Sequence, residues 1–172
     1  MDSAADENDV VFEGAAGIYR QVSLASAAAD VSTLISFGSD LDSLGFRLIG
    51  DLICSALANG IVRAYVNPVE GTRALLLAGI KDGKLNVAGV FFDTNFADGT
   101  TLTTTTSRAV NDLPAKGLHR RVYSWQGVHD LYQKHKEHMN ELKLEHGEVL
   151  AFGDTLTSLA ESLDSATIRM AQ

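Results

Sequence analysis

Residues 72–107 read TRALLLAGIKDGKLNVAGVFFDTNFADGTTLTTTTS, and the architecture turns on how this stretch folds. Runs rich in Leu, Val, Phe and Thr are divided by Asp82-Gly83 and Asp98-Gly99. Asp tolerates positive φ and Gly takes it freely, so each dipeptide can close a tight hairpin whose twist suits the flanking strands. The stretch predicts strands at Thr72–Lys81, Leu85–Phe96 and Thr100–Ser107, paired antiparallel in chain order. In Leu85–Phe96 both alternating sets are largely apolar, with Ala88, Val90, Phe92 and Phe96 on one side and Val87, Gly89 and Phe91 on the other. That pattern suits a strand near the sheet centre. In Thr101–Thr106 only Leu102 is large and apolar, which predicts a strand facing water.

Upstream, Phe46–Cys54 and Ile61–Asn67 are strand-like runs set off by Asn59-Gly60 and Asn67-Pro68, giving about five strands in meander order. Before them, the Ala- and Ser-rich segment Gly14–Ser36 spaces Ile18, Val22, Ala25, Ala29 and Leu34 or Ile35 at a rough helical period. This predicts an N-terminal helix ended by Gly38, with one or two further turns in residues 39–46. Downstream, Asn111–Gly117 with Pro114 reads as a loop. A long C-terminal helix follows over about residues 125–146, because Val128, Leu131, Tyr132, His135, His138, Met139, Leu142, His146 and Val149 share one face. Leu156, Leu159, Ala160, Leu163 and Thr167 predict a shorter terminal helix after a break near Gly153. The fold expected is α+β, a single antiparallel sheet covered on one face by helices. Strands that follow one another without intervening helices disfavour a parallel doubly wound sheet.

The chain of 172 residues is 45% hydrophobic and 21% charged, enough to build one core, and no internal repeat divides it. Its longest apolar run, Ala74–Ile80, is far short of the ~18 residues that a membrane-spanning helix needs. The net charge of −8 and pI near 5.0 disfavour nucleic acid and anionic membrane as partners, since both demand a cationic footprint. Asp2, Asp6, Glu7, Asp9 and Glu13 fall in the first 13 residues with no Lys or Arg, so residues 1–13 read as an acidic flexible tail and 14–172 as the domain. One cysteine, Cys54, excludes an internal disulfide, and with no basic, apolar leader at the start the expected compartment is cytoplasmic.

Chemistry is sparse. His135 and His138 lie three apart on the long helix and could ligate a metal, with Asp93 as a sheet carboxylate, although no HExxH pattern accompanies them. Filling the edge of a packing stripe is the more ordinary use of such histidines. Asp93, Asn95 and Asp98 share a hairpin but lack the spacing of a calcium loop, and turn chemistry accounts for Asp98-Gly99. Lys116, His119, Arg120 and Arg121 form the one dense basic patch, able to meet an acidic partner or ordinary solvent. No GxSxG or glycine-rich phosphate loop is present, and Cys54 sits in an apolar strand.

The function expected is therefore a non-catalytic cytoplasmic module that binds protein or ligand, without a cofactor. The alternative is a metal-assisted or acid–base enzyme using His135, His138 and Asp93. Partners expected are a protein and a second copy, as a two-fold dimer along the C-terminal helices. A helix of ~33 Å outruns a sheet of ordinary strand length, and Val128, His135, Leu142 and Val149 keep a seven-residue repeat.

Overall fold

A computed structural model of the chain describes residues 10–23, 32–107 and 117–171. In chain order these form β1 (Val10–Glu13), β2 (Ile18–Gln21), α1 (Ser32–Ser43), β3 (Arg47–Cys54), a 3-10 turn (Ser55–Leu57), β4 (Gly60–Asn67), β5 (Thr72–Lys81) and β6 (Lys84–Phe96). Then come β7 (Thr101–Thr105), β8 (Leu118–Val122), α2 (Val128–His146), β9 (Val149–Leu150) and α3 (Leu156–Ala171). The strands make one nine-stranded sheet in the order β1-β2-β3-β4-β5-β6-β7-β8, with β9 paired to the end of β6. Neighbours from β1 to β7 are antiparallel, whereas β8 lies parallel to β7. Asp82 and Gly83 close the β5–β6 hairpin at φ of 55° and 72°, the left-handed pair that such a turn requires.

The class is α+β, but helix order and strand count differ from expectation. Nine strands replace about five, and no helix opens the described chain. Gly14–Gln21, expected as helix, instead turns and pairs β2 with β1, and the first helix begins only at Ser32. Residues 24–31 of the expected helix lie outside the described residues. The rough helical spacing of Ile18 and Val22 misled because alternation decides here: Tyr19 is buried while Ile18 and Arg20 are exposed. Val10–Glu13, expected in the acidic tail, is the edge strand β1. Gly38 does not stop α1 but lets it approach the sheet, since a Cβ there would meet the Tyr65 hydroxyl at 3.0 Å.

Helices cover both faces. On one, α1 and α2 bury Leu34, Phe37, Leu41, Val128, Leu131 and Tyr132 against Phe46, Tyr65, Leu76 and Phe92. Phe46, Phe92 and Tyr132 meet ring to ring at centroid separations of 5.0–5.7 Å. On the other, Leu159, Ala160 and Leu163 of α3 cover Tyr19, Leu52, Cys54, Val62, Ala64 and Leu75. Two-sided cover explains why β4 and β5 read as nearly continuous apolar runs. The long helix lies along the sheet, over β6 and β7, and Val128, Leu131, Tyr132, His135 and Met139 of its expected stripe are buried within the chain. The Thr strand is likewise internal, with Leu102, Thr104 and Thr105 fully buried: β8 flanks it, and α2 covers the face that carries Leu102 and Thr104.

One carboxylate ties the first strands to the last helix. Asp164 on α3 accepts from the Ala15 and Ala16 amides at 3.1 and 2.8 Å and from the Tyr19 hydroxyl at 3.2 Å. Gly14 leaves room for it, as a Cβ would lie 2.3 Å from Asp164 Cγ. Burial, reinforced by this carboxylate, pushes the Tyr19 phenol up to about 12. Asp164→Asn should cost about 2 kcal/mol, since bonds to a charged acceptor are worth roughly 1.5–3 kcal/mol, and lower Tm by roughly 4–8 °C. A thermal melt checks this, and an unchanged Tm would assign the hairpin's attachment to its apolar contacts.

Candidate functional site

The three residues of the expected metal or acid–base centre do not converge. His135 is wholly buried beneath α2, its Nε2 2.8 Å from Thr94 Oγ1 and its Nδ1 2.8 Å from Thr104 Oγ1. One ring nitrogen donates, the other accepts, and the hydroxyls complement either tautomer. Thr94 also touches Thr72 Oγ1 at 3.2 Å and Met139 Sδ at 3.6 Å, so the network bridges β5, β6, β7 and α2. Burial drives the His135 pKa down to about 3, with His138 nearby adding to the shift. His138 leans the other way, pairing through Nε2 with the Tyr123 hydroxyl and through Nδ1 with Glu141 Oε2 at 3.5 Å.

Asp93 neighbours Thr94 on β6 and so projects to the opposite face. There its Oδ2 accepts from Arg73 Nη2 at 3.0 Å and its Oδ1 from Thr103 Oγ1 at 2.7 Å. Arg73 also donates to Ser162 Oγ at 2.9 Å and lies 4.5 Å from the centre of the Phe152 ring, which leaves its buried Nε without a partner. Sequence reasoning missed this pair, whose only trace is a charge of each sign in two apolar strands. Among the described residues no group of three His, Cys, Asp or Glu side chains is placed to hold a metal ion. Burial pushes the Cys54 thiol up to about 12, which removes it as a nucleophile at neutral pH.

A second histidine cluster forms where α2 ends. His146 Nδ1 bonds Asp98 Oδ2 at 2.7 Å and lies 3.2 Å from Thr100 Oγ1, while its Nε2 is buried without a hydrogen-bond partner and sits 3.7 Å from Glu145 Oε2. The His146 bond, helped by the Thr100 amide, holds the Asp98 carboxyl down at about 2. The His119 ring from β8 stands 5.1 Å away, centre to centre. An Asp–His pair of this kind can orient an imidazole as a base, yet among the described residues no Ser or Cys side chain is bonded to the ring. The cluster reads as a fastening of α2 to the β6–β7 turn and to β8.

The basic patch resolves into an outer strand. His119, Arg120 and Arg121 lie on β8, which ends the sheet order, and Lys116 lies outside the described residues. Alternation sends His119 and Arg121 to the α2 side and Arg120 to the other, where its Nη2 donates to the Ser107 carbonyl at 2.8 Å. Arg121 is exposed and, among the described residues, makes only a 3.4 Å contact with its neighbour's carbonyl. A groove of about 480 Å³ lies elsewhere, between Pro68–Gly71 and Gly147–Val149, and none of the sequence-nominated site residues lines it.

No family model, curated protein or solved structure matches the chain. Among the described residues no helix is long and apolar enough to cross a membrane. His135 yields a pH prediction. The unfolded imidazole takes a proton below about pH 6.5, whereas the native one stays neutral until about 3. The unfolded state thus binds more protons in that window, and stability falls as pH falls, by up to about 1.4 kcal/mol per unit. Urea unfolding at neutral pH and near pH 5 should show this decline, and His135→Gln should lessen it. An equal decline in the variant would place its origin in other groups.

Proposed function

We propose that the protein is a non-catalytic binding module that takes an acidic, extended polypeptide along the outer edge of β8. The observation that supports this reading is the gathering of His119, Arg120 and Arg121 on a terminal strand with no partner strand on its far side among the described residues. Because side chains alternate, positive charge brackets that backbone edge from above and below. A peptide added as a further strand would satisfy the edge amides and carbonyls, while its own alternating carboxylates would face Arg120 on one side and Arg121 on the other. The chain carries a net charge of −8, so an acidic partner is repelled by the molecule as a whole and held by this edge alone. Binding is therefore local and salt-sensitive. A cytoplasmic setting belongs to the same proposal and fits a lone, buried, reduced thiol at Cys54.

A labelled peptide of about ten residues alternating Glu and Val, followed by fluorescence anisotropy at low ionic strength, tests the reading. Arg121→Glu should weaken binding about tenfold or more, equivalent to ~1.4 kcal/mol, and leave Tm unchanged, because the side chain is exposed. Equal binding by the two proteins, or none by either, would overturn it.

A further inference from the structure

We infer that the occupant of the β8 edge is the acidic N-terminal segment of a second copy of this chain, an inference that rests on the binding reading above. Residues 1–9, MDSAADEND, contain Asp2, Asp6, Glu7 and Asp9 with no Lys or Arg. In an extended segment Asp2 and Asp6 project to one side and Glu7 and Asp9 to the other. That division mirrors β8, with Arg120 on one face and His119 and Arg121 on the opposite one. Beyond the first fourteen residues, no nine-residue stretch of the sequence offers four carboxylates without a basic residue.

Length decides between the chain's own edge and another copy's. The segment ends at Val10, where β1 begins, and β1 and β8 are opposite ends of the sheet order. At about 4.8 Å per strand spacing, crossing from β1 to β8 covers roughly 34 Å, whereas nine extended residues reach at most about 31 Å. The whole segment would be consumed in the crossing, with none left to lie along β8. In trans the constraint disappears, since a neighbouring molecule can present its β8 beside the first one's N-terminus. The two ends of each sheet then carry opposite charge, and the contact joins unlike surfaces rather than the self-complementary helix face of a two-fold dimer.

Sedimentation velocity of the full chain over a range of concentrations at low salt tests this. Self-association is expected, weakened about tenfold or more by neutralising the segment in the full chain (Asp2→Asn, Asp6→Asn, Glu7→Gln and Asp9→Asn together) and equally by Arg121→Glu. The two variants are complementary, because the first retains an intact β8 and the second an intact acidic segment. Mixed in equal amounts, they should form a heterodimer that neither forms alone. A wild type that remains monomeric, association that survives neutralisation of the segment, or a mixture that fails to form the heterodimer overturns the inference. If the Glu–Val peptide still binds β8 in those cases, the binding reading stands and only the identity of the occupant is lost. If the peptide does not bind, both fall.

Discussion

The placing of α2 over β6 and β7 fixes much of the rest, and the bridge from Thr94 through His135 to Thr104 makes that placing specific. Apolar side chains alone would let a helix slide along a sheet, because hydrophobic contact is non-directional. A buried imidazole with hydroxyls on both nitrogens allows no such freedom, since any shift strands a buried polar atom at a cost of roughly 1–3 kcal/mol. With His135 fixed, His138 meets Tyr123 in the approach to the helix, and His146 arrives beside Asp98 and His119. Three histidines on one helix thus fasten it to two strands, the segment leading into it, a hairpin turn and the outer strand. The burial that lowers the pKa of His135 also keeps it neutral, and a neutral ring suits a joint made with hydroxyls.

The opposite face follows the same rule with charges in place of an imidazole. Asp164 receives two amides and a phenol from the β1–β2 hairpin, and Arg73 joins Asp93 to Ser162 of α3. Each polar group is anchored to an element distant in sequence, and each marks where a helix crosses particular strands. His135 and Asp93, which sequence patterning nominates for chemistry, belong in this fold to the bonds that set register between layers.

The strands between residues 46 and 107 are legible because their signals agree: apolar runs of strand length, bounded by Asn-Gly, Asp-Gly and Asn-Pro turns whose chemistry has a single reading. The N-terminal misreading arises where signals conflict. Ala and Ser favour neither period, and a hairpin as short as β1–β2 gives only four residues per strand in which alternation can show. β8 is obscured for another reason, since LHRRV owes its strand conformation to pairing with β7 and not to its own pattern. The threonines of β7 suggest a wet surface by composition, but hydroxyls are also what a buried histidine needs. Sequence shows His135 and Thr104 separately and gives no sign that they meet. The candidate site is legible only as a cluster of cations, and its geometry, an outer strand charged on both faces, depends on pairing at long range.

Charge on an edge strand has two consequences that are usually treated apart. It prevents indiscriminate pairing, because a second β8 laid against the first would bring Arg beside Arg. The same charge lowers the energy of a strand of opposite sign, so protection and selectivity come from one set of side chains. The two ends of this sheet differ accordingly. β1 is four residues long, is interrupted by a register shift between Val10 and Phe12, and follows an acidic segment, so it offers little continuous ladder. β8 pairs with β7 without interruption from Leu118 to Val122 and presents a regular backbone edge. Of the two ends, only β8 combines an unbroken ladder with a charge that discriminates among partners, and specific strand addition requires both.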